Sequence, residues 1–168
     1  MTASSGRAWL RAALVFVIVV ALDQVSKAAV RASIPRGDSE KFFLGINFVN
    51  TRNKGVAFGL LSGGGATVVA IIGAALVLLV VYFALHADRP LLWLPTGLLL
   101  GGAIGNLVDR VRGDAVTDFI DLPLWPPFNV ADMAITFGVL SLLYALEAPR
   151  GRRRGDDAHR GDDAHEAS

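Results

Sequence analysis

Residues 12–30 read AALVFVIVVALDQVSKAAV. Ala12 to Leu22 is an unbroken apolar run, and Asp23, Gln24 and Lys27 then follow with no turn-forming residue to end the segment. A bilayer core of ~30 Å needs about 20 mostly apolar residues in a helix, so the run spans only if it continues through those three polar side chains. The resulting helix carries ionisable groups near its far end. Asp23 and Lys27 stand one turn apart on one face, a spacing suited to an ion pair. With Arg7 and Arg11 ahead of it, the segment also has the look of a signal peptide, but Asp23 and Gln24 interrupt the region where a cleavage site would follow. An uncleaved anchor is therefore expected.

The rest of the chain is of the same kind. Its 168 residues are 53% hydrophobic, with a mean hydropathy of +0.50, a balance that places it in a membrane. Four stretches approach spanning length, at roughly 10–30, 66–86, 91–109 and 130–147. The expected fold class is an all-α membrane protein of four transmembrane helices. Four spans put both termini on one side, and Arg7, Arg11, Arg150 and Arg152 to Arg154 make that side cytoplasmic. The short loop His86 to Pro90 is then also inside, and loops 31–65 and 110–129 are outside. Both outer loops contain β-like runs, Phe42 to Val49 and Ala115 to Ile120. Arg31, Arg36, Lys41, Arg52 and Lys54 run against the positive-inside pattern and ask for an anionic partner, lipid headgroups first. The domain is read as 1–150. Residues 151–168, with RGDDAH at 154–159 and again at 160–165, form a charged low-complexity tail expected to be disordered.

Composition narrows the chemistry. The chain has no cysteine, which excludes disulfides, thiolate nucleophiles and Cys-ligated metals. Of its three histidines, His86 lies in a short loop and His159 and His165 in the tail, too little material for a Ser-His triad or a His-ligated zinc. Any catalysis must come from carboxylates, lysines, hydroxyls or backbone groups.

Carboxylates within apolar sequence are the place to look. In the third span Gly97, Gly101 and Gly105 recur on one face, a helix-packing seam that ends in Asn106, Asp109 and Arg110. The stretch GDAVTDFIDLPLWPPFNVADMAITFG, residues 113–138, contains Asp114, Asp118, Asp121 and Asp132. Asp118 sits among Val116, Thr117, Phe119 and Ile120, an odd setting for a carboxylate that nothing needs. Asp132 has an ordinary explanation, since Asn129 can cap the fourth span and an acid three residues later suits the positive end of its dipole. Both acids nevertheless flank one loop and can meet at one depth. Two carboxylates in a shared dry site cannot both ionise easily, so one keeps a proton while the other stays charged. That is the working state of an aspartyl peptidase. Upstream, NTRNKGVAFGLLSGGG at 50–65 places Asn50, Asn53, Gly55 and Gly59 in apolar surroundings, where Asn53 can hydrogen-bond a peptide or the segment can be a plain turn.

The strings LDQVSK, NTRNKGVAFG, GGAIGNLVDR, VTDFIDL and FNVADMAITFG together resemble the motif set of lipoprotein signal peptidase, signal peptidase II. The resemblance implies that Asp118 and Asp132 are a catalytic dyad and that Asp23, Asn53, Asn106, Arg110 and Asn129 support it or contact substrate. It implies four transmembrane helices with a small extracytoplasmic β-cradle and a short surface helix. The implied substrate is a prolipoprotein signal peptide followed by a diacylglyceryl-modified cysteine, cut N-terminal to that cysteine without metal or cofactor, and the implied inhibitor is globomycin. The implied setting is the bacterial cytoplasmic membrane, with the site at its outer face. Membrane lipids are the other expected partner, no nucleic acid is expected, and the chain is expected to act as a monomer. Three rivals stay open: a proton-coupled carrier subunit, a Ser-Lys peptidase using Ser62 with Lys54 or Lys41, and a non-enzymatic scaffold.

Overall fold

A computed structural model describes residues 3–43, 45–54, 64–113 and 115–147. Gly55, Gly59, Ser62, Asp114, His159, His165 and the 151–168 tail lie outside the described residues. Along the chain run helix α1 (Ala3–Ser33), strands β1 (Ser39–Phe43) and β2 (Ile46–Asn53), helices α2 (Gly64–Leu85) and α3 (Trp93–Gly113), strands β3 (Val116–Leu122) and β4 (Trp125–Phe128), and helix α4 (Val130–Glu147). α1 continues through Asp23 and Lys27 without a break, as the missing turn signal requires. By length and composition α1, from Ser5, and α4 are able to cross a bilayer unaided. α2 is a 22-residue helix with no charged side chain, and α3 is diluted by its glycines and by Asp109, Arg110 and Arg112 at its end. Leu10, Leu14, Val17, Ile18, Leu22 and Val25 leave most of the outer flank of α1 apolar and exposed. In water that flank would be costly; against lipid tails it is neutral.

α3 lies between α1 and α4, and glycine lets it get there. A Cβ added at Gly97 would stand 2.7 Å from the Ala12 carbonyl oxygen, and one at Gly101 would stand 2.7 Å from Val19 Cβ. One at Gly105 would stand 2.7 Å from Asp23 Oδ2. The opposite edge of α3 meets α4 the same way, with the Ala131 carbonyl oxygen 2.5 Å from a Cβ at Gly102. The seam read from the sequence as helix packing is helix packing, and it brings the polar ends of three helices together.

Those ends are crossed by a four-stranded antiparallel sheet in the order β1-β2-β3-β4. The run Phe42 to Val49, expected as one strand, is divided between β1 and β2 by a turn in which Gly45 takes φ 82°. An L-residue with a side chain enters that left-handed region at a cost, so the glycine breaks the run. Asn50 fastens the sheet to α1: its Nδ2 donates to the Ile34 carbonyl at 2.7 Å, and its backbone pairs with Gly37 and Asp38. β4 is a strand that the sequence did not lead one to expect. Pro126 and Pro127 argue against a central strand but suit an edge, and β4 is the edge. The short surface helix implied by the resemblance has no counterpart among the described residues. At the other end of the bundle Trp9 meets Phe83 edge-on at 4.7 Å, above a core of Ala8, Ala12, Leu92 and Ala145.

Candidate active site

Two groups of carboxylates occupy the junction of the helices with the sheet. In the first, Lys27 Nζ lies 2.8 Å from Asp23 Oδ2 and 3.1 Å from Asp109 Oδ2, and it donates to Asn106 Oδ1 at 2.9 Å. Lys27 and Asp23 have no solvent exposure at all. An unpaired charge there would be prohibitive, so the ammonium and the carboxylates must balance one another. The expected Asp23–Lys27 pair is present, and it is larger than the sequence indicated, because Asp109 and Asn106 join it from α3. Asp23 also serves α4, where its Oδ1 accepts the Ala131 backbone N–H at 3.0 Å and so meets one of the unsatisfied donors at the helix start. Gln24 Nε2 donates to Asp23 Oδ2 and to the Gly105 carbonyl, both at 3.1 Å. Asp109 holds β3 as well, accepting the Thr117 N–H at 3.1 Å.

The second group is built around Asn129, the N-cap of α4. Its Oδ1 accepts the Asp132 N–H at 3.0 Å, while Asp132 Oδ2 accepts the Asn129 N–H at 3.2 Å, a reciprocal capping arrangement. The Asn129 Oδ1 is thereby committed as acceptor, so Nδ2 must face the other way. It donates to Asp118 Oδ1 at 2.7 Å. Asn106 is oriented by the same logic: Lys27 can only donate, so Asn106 turns Oδ1 to it and Nδ2 to Asp132 Oδ1, at 2.8 Å. The capping role foreseen for Asp132 is therefore real, yet it uses one oxygen only. The other points into the group.

Asp118, on β3, is 3% exposed. Burial holds its carboxyl above the ordinary carboxylate range, and the neighbouring Asp132 charge pushes the same way. A hydrogen bond from Asn53, together with that from Asn129 and the more distant Lys27 charge, opposes the rise without cancelling it. No described cation forms an ion pair with Asp118 or Asp132. Among the described residues, neutral amides alone hold the two acids.

Of the residues singled out from the sequence, the fold gathers Asp23, Asn53, Asn106, Asn129, Asp118 and Asp132 into these two adjoining groups. Arg110 stands at their margin, where its Nη1 donates to the Asn106 carbonyl at 3.3 Å. Asp121 is occupied elsewhere, accepting Asn47 Nδ2 at 3.1 Å across the sheet. Sequence reasoning gave Asp109 little weight and left Thr117 and Gln24 without a role. The i, i+3 step from Asn106 to Asp109 and the i, i+1 step from Asp23 to Gln24 were the available signals, but only the α1–α3 seam makes them neighbours.

Comparison with known proteins gives a consistent result. A family model described as Signal peptidase (SPase) II matches residues 15–147. A lipoprotein signal peptidase of Moorella thermoacetica is 42% identical over 144 residues, covering 83% of this chain and 95% of the relative. One from Syntrophomonas wolfei is 43% identical over 143 residues, covering 82% and 95%. A solved structure described as a bacterial membrane enzyme, obtained by the in meso method at 1.9 Å resolution, superposes with a TM-score of 0.75 at 35% identity, covering 81% of this chain and 92% of that one. The chain belongs to the signal peptidase II family of membrane peptidases.

Proposed function

We propose that this chain is an aspartyl endopeptidase that removes signal peptides from diacylglyceryl-modified prolipoproteins, cutting N-terminal to the lipidated cysteine, with Asp118 and Asp132 as the catalytic pair. The observation that carries the proposal is that Asn129 joins buried Asp118, through its side-chain amide, to half-buried Asp132, through reciprocal bonds with its backbone and side chain, and that no described cation pairs with either acid. Asp132, with both oxygens accepting N–H donors, is the ionised partner. Asp118, driven toward its neutral form by burial, carries the proton.

The chemistry follows from that asymmetry. The Asp132 carboxylate takes a proton from water as the water oxygen attacks the scissile carbonyl carbon, and Asp118 gives its proton to the carbonyl oxygen. The neutral tetrahedral intermediate collapses when Asp132 returns its proton to the leaving cysteine nitrogen and Asp118 recovers one from a hydroxyl of the intermediate. The C–N bond breaks, and both acids regain their starting states. Asn106 and Asn129 fix the two carboxyls, Asn53 modulates Asp118, and Asp23 and Lys27 hold the helices that carry the site. Arg110 is left to face the peptide.

The substrate's form fits the scaffold. A signal peptide helix lies in the bilayer, and its lipidated cysteine sits at the interface. A groove of about 560 Å³ opens between α2, α3 and α4, lined by Ile72, Leu76, Leu79, Leu99, Ile135 and Leu142. It offers lateral entry for an acyl chain or an apolar peptide without passage through water. With four spans and both termini cytoplasmic, the site belongs to the outer face. The direct test is purified full-length protein in detergent with a diacylglyceryl-modified preprotein: cleavage visible as a gel shift, blocked by globomycin, is expected. Absence of cleavage by protein that still binds globomycin would overturn the assignment.

A further inference from the structure

On the face of β3 away from Asp118, three arginines from three different elements line one pocket: Arg31 at the end of α1, Arg52 on β2 and Arg112 in the last turn of α3. Successive strand residues point to opposite faces, so Thr117, which lines this space, and Asp118, which lines the candidate active site, divide β3 between two sites. The space is a cavity of about 220 Å³.

Among the described residues its charges do not balance. Asp109 is the acid that lines it, and Asp109 is already engaged, with Oδ2 held by Lys27 and the Thr117 N–H and Oδ1 shared by Gln24 and, at 3.7 Å, Arg31. Arg31 Nη1 also donates to Thr117 Oγ1 at 3.1 Å, which fixes it in the wall. Arg52 reaches the Gly113 carbonyl at 3.4 Å, a long bond to a neutral acceptor. Arg112 has no ion pair among the described residues. Among the described residues, three cations against one acid leave a surplus of two. The C-termini of α1 and α3 end here, each worth about half a negative charge, so they offset about one and leave the other unanswered.

We propose that Arg31, Arg52 and Arg112 form a binding pocket for the phosphate of an anionic glycerophospholipid. Guanidinium groups meet phosphate oxygens in bidentate fashion, which suits a pocket with several converging forks and no lysine. The depth is right as well. The pocket is walled by the last turns of α1 and α3, past the apolar length of α1, which is the level at which lipid headgroups lie. This also gives Arg31 and Arg52 a reason to stand outside the membrane against the positive-inside pattern.

The test is binding by the full-length chain in detergent, and it does not depend on peptidase activity. Short-chain phosphatidylglycerol should bind saturably, and Arg52→Gln/Arg112→Gln should weaken it by about tenfold or more, the equivalent of one charge-assisted contact. Arg112→Gln alone, an exposed change that leaves the fold's internal bonds untouched, should weaken it in the same direction. Arg36→Gln, a cation outside the pocket, should leave binding unchanged. Short-chain phosphatidylcholine binding as tightly as phosphatidylglycerol would overturn the proposal, as would an equal loss in Arg36→Gln. Inorganic phosphate that competes at comparable concentration would replace the lipid with a free anion.

Discussion

The two carboxylate groups at the top of the bundle differ in one respect that decides their roles. Asp23 and Asp109 share a buried lysine, and every oxygen among them has a donor or a cation. Asp118 and Asp132 lie beside them with, among the described residues, only amide donors. A buried acid with a cation is settled in its charged state and holds structure. Neighbouring acids with neutral donors and each other for company, one of them buried, are unsettled, and a shared proton is the means of settling them. Asp23, Asp109 and Asp118 are all buried, so burial alone does not separate the groups; the identity of the partner does.

On that contrast, the two groups answer differently to mutation. Asp118→Asn and Asp132→Asn should each lower turnover by about 10²–10⁴-fold or more, with globomycin binding retained, and the double variant should be little worse than either single. Additive losses in steady-state kinetics would indicate independent roles. Lys27→Met should act on folding first, since it strands Asp23 and Asp109 without their cation at a cost of about 3–5 kcal/mol. Adding Asp23→Asn, which keeps an acceptor for the Ala131 N–H while removing one charge, should recover part of the lost thermal stability. A Lys27→Met protein as stable as the parent would remove the distinction between the groups.

A smaller effect is expected at the seam. Gly105→Ala would set a methyl 2.7 Å from Asp23 Oδ2, and overpacking of this kind costs about 1–3 kcal/mol. Gly73→Ala on α2, with nothing within 4 Å of the new Cβ, should be stabilising by about 0.5–1 kcal/mol. Melting temperatures of the two variants compare them directly. The smallest effect is the most diagnostic of mechanism. Asn53 donates to Asp118 and so favours its charged form; Asn53→Ala should raise the Asp118 pKa further. Activity that needs Asp118 protonated is lost as pH rises through that pKa, so the alkaline limb of the pH–rate profile should move upward. A downward shift would mean that Asp118 works ionised.

How much of this was legible in the chain depended on range. Helix positions came from apolar length, and α4 falls at the residues expected, because a hydrophobic run bounded by Asn129 and a polar tail has few alternatives. The Asp23–Lys27 pair and the Asn129–Asp132 cap were readable for the same reason: both are local, set by the 3.6-residue turn. The joining of Asp109 and Asn106 to Lys27 was not, since it depends on how closely α3 approaches α1 and on which face each presents. Strand boundaries were the weak point. A glycine at φ 82° divided one run, and a proline pair hid an edge strand that pairs with β3 across a two-residue turn. Asp118 was conspicuous as a lone acid among apolar residues, but its partner amides come from β2 and α4, and only the fold supplies them.

The central claim is that Asp118 holds the proton of the pair while Asp132 is charged. Infrared difference spectroscopy of the purified protein across a pH titration reads this directly. A protonated-carboxyl band should persist above the ordinary carboxylate range of about 3.9, vanish in Asp118→Asn, and in Asp132→Asn remain but titrate at lower pH, because the neighbouring charge that raises it is gone. A band that survives Asp118→Asn unchanged and disappears in Asp132→Asn would contradict the account.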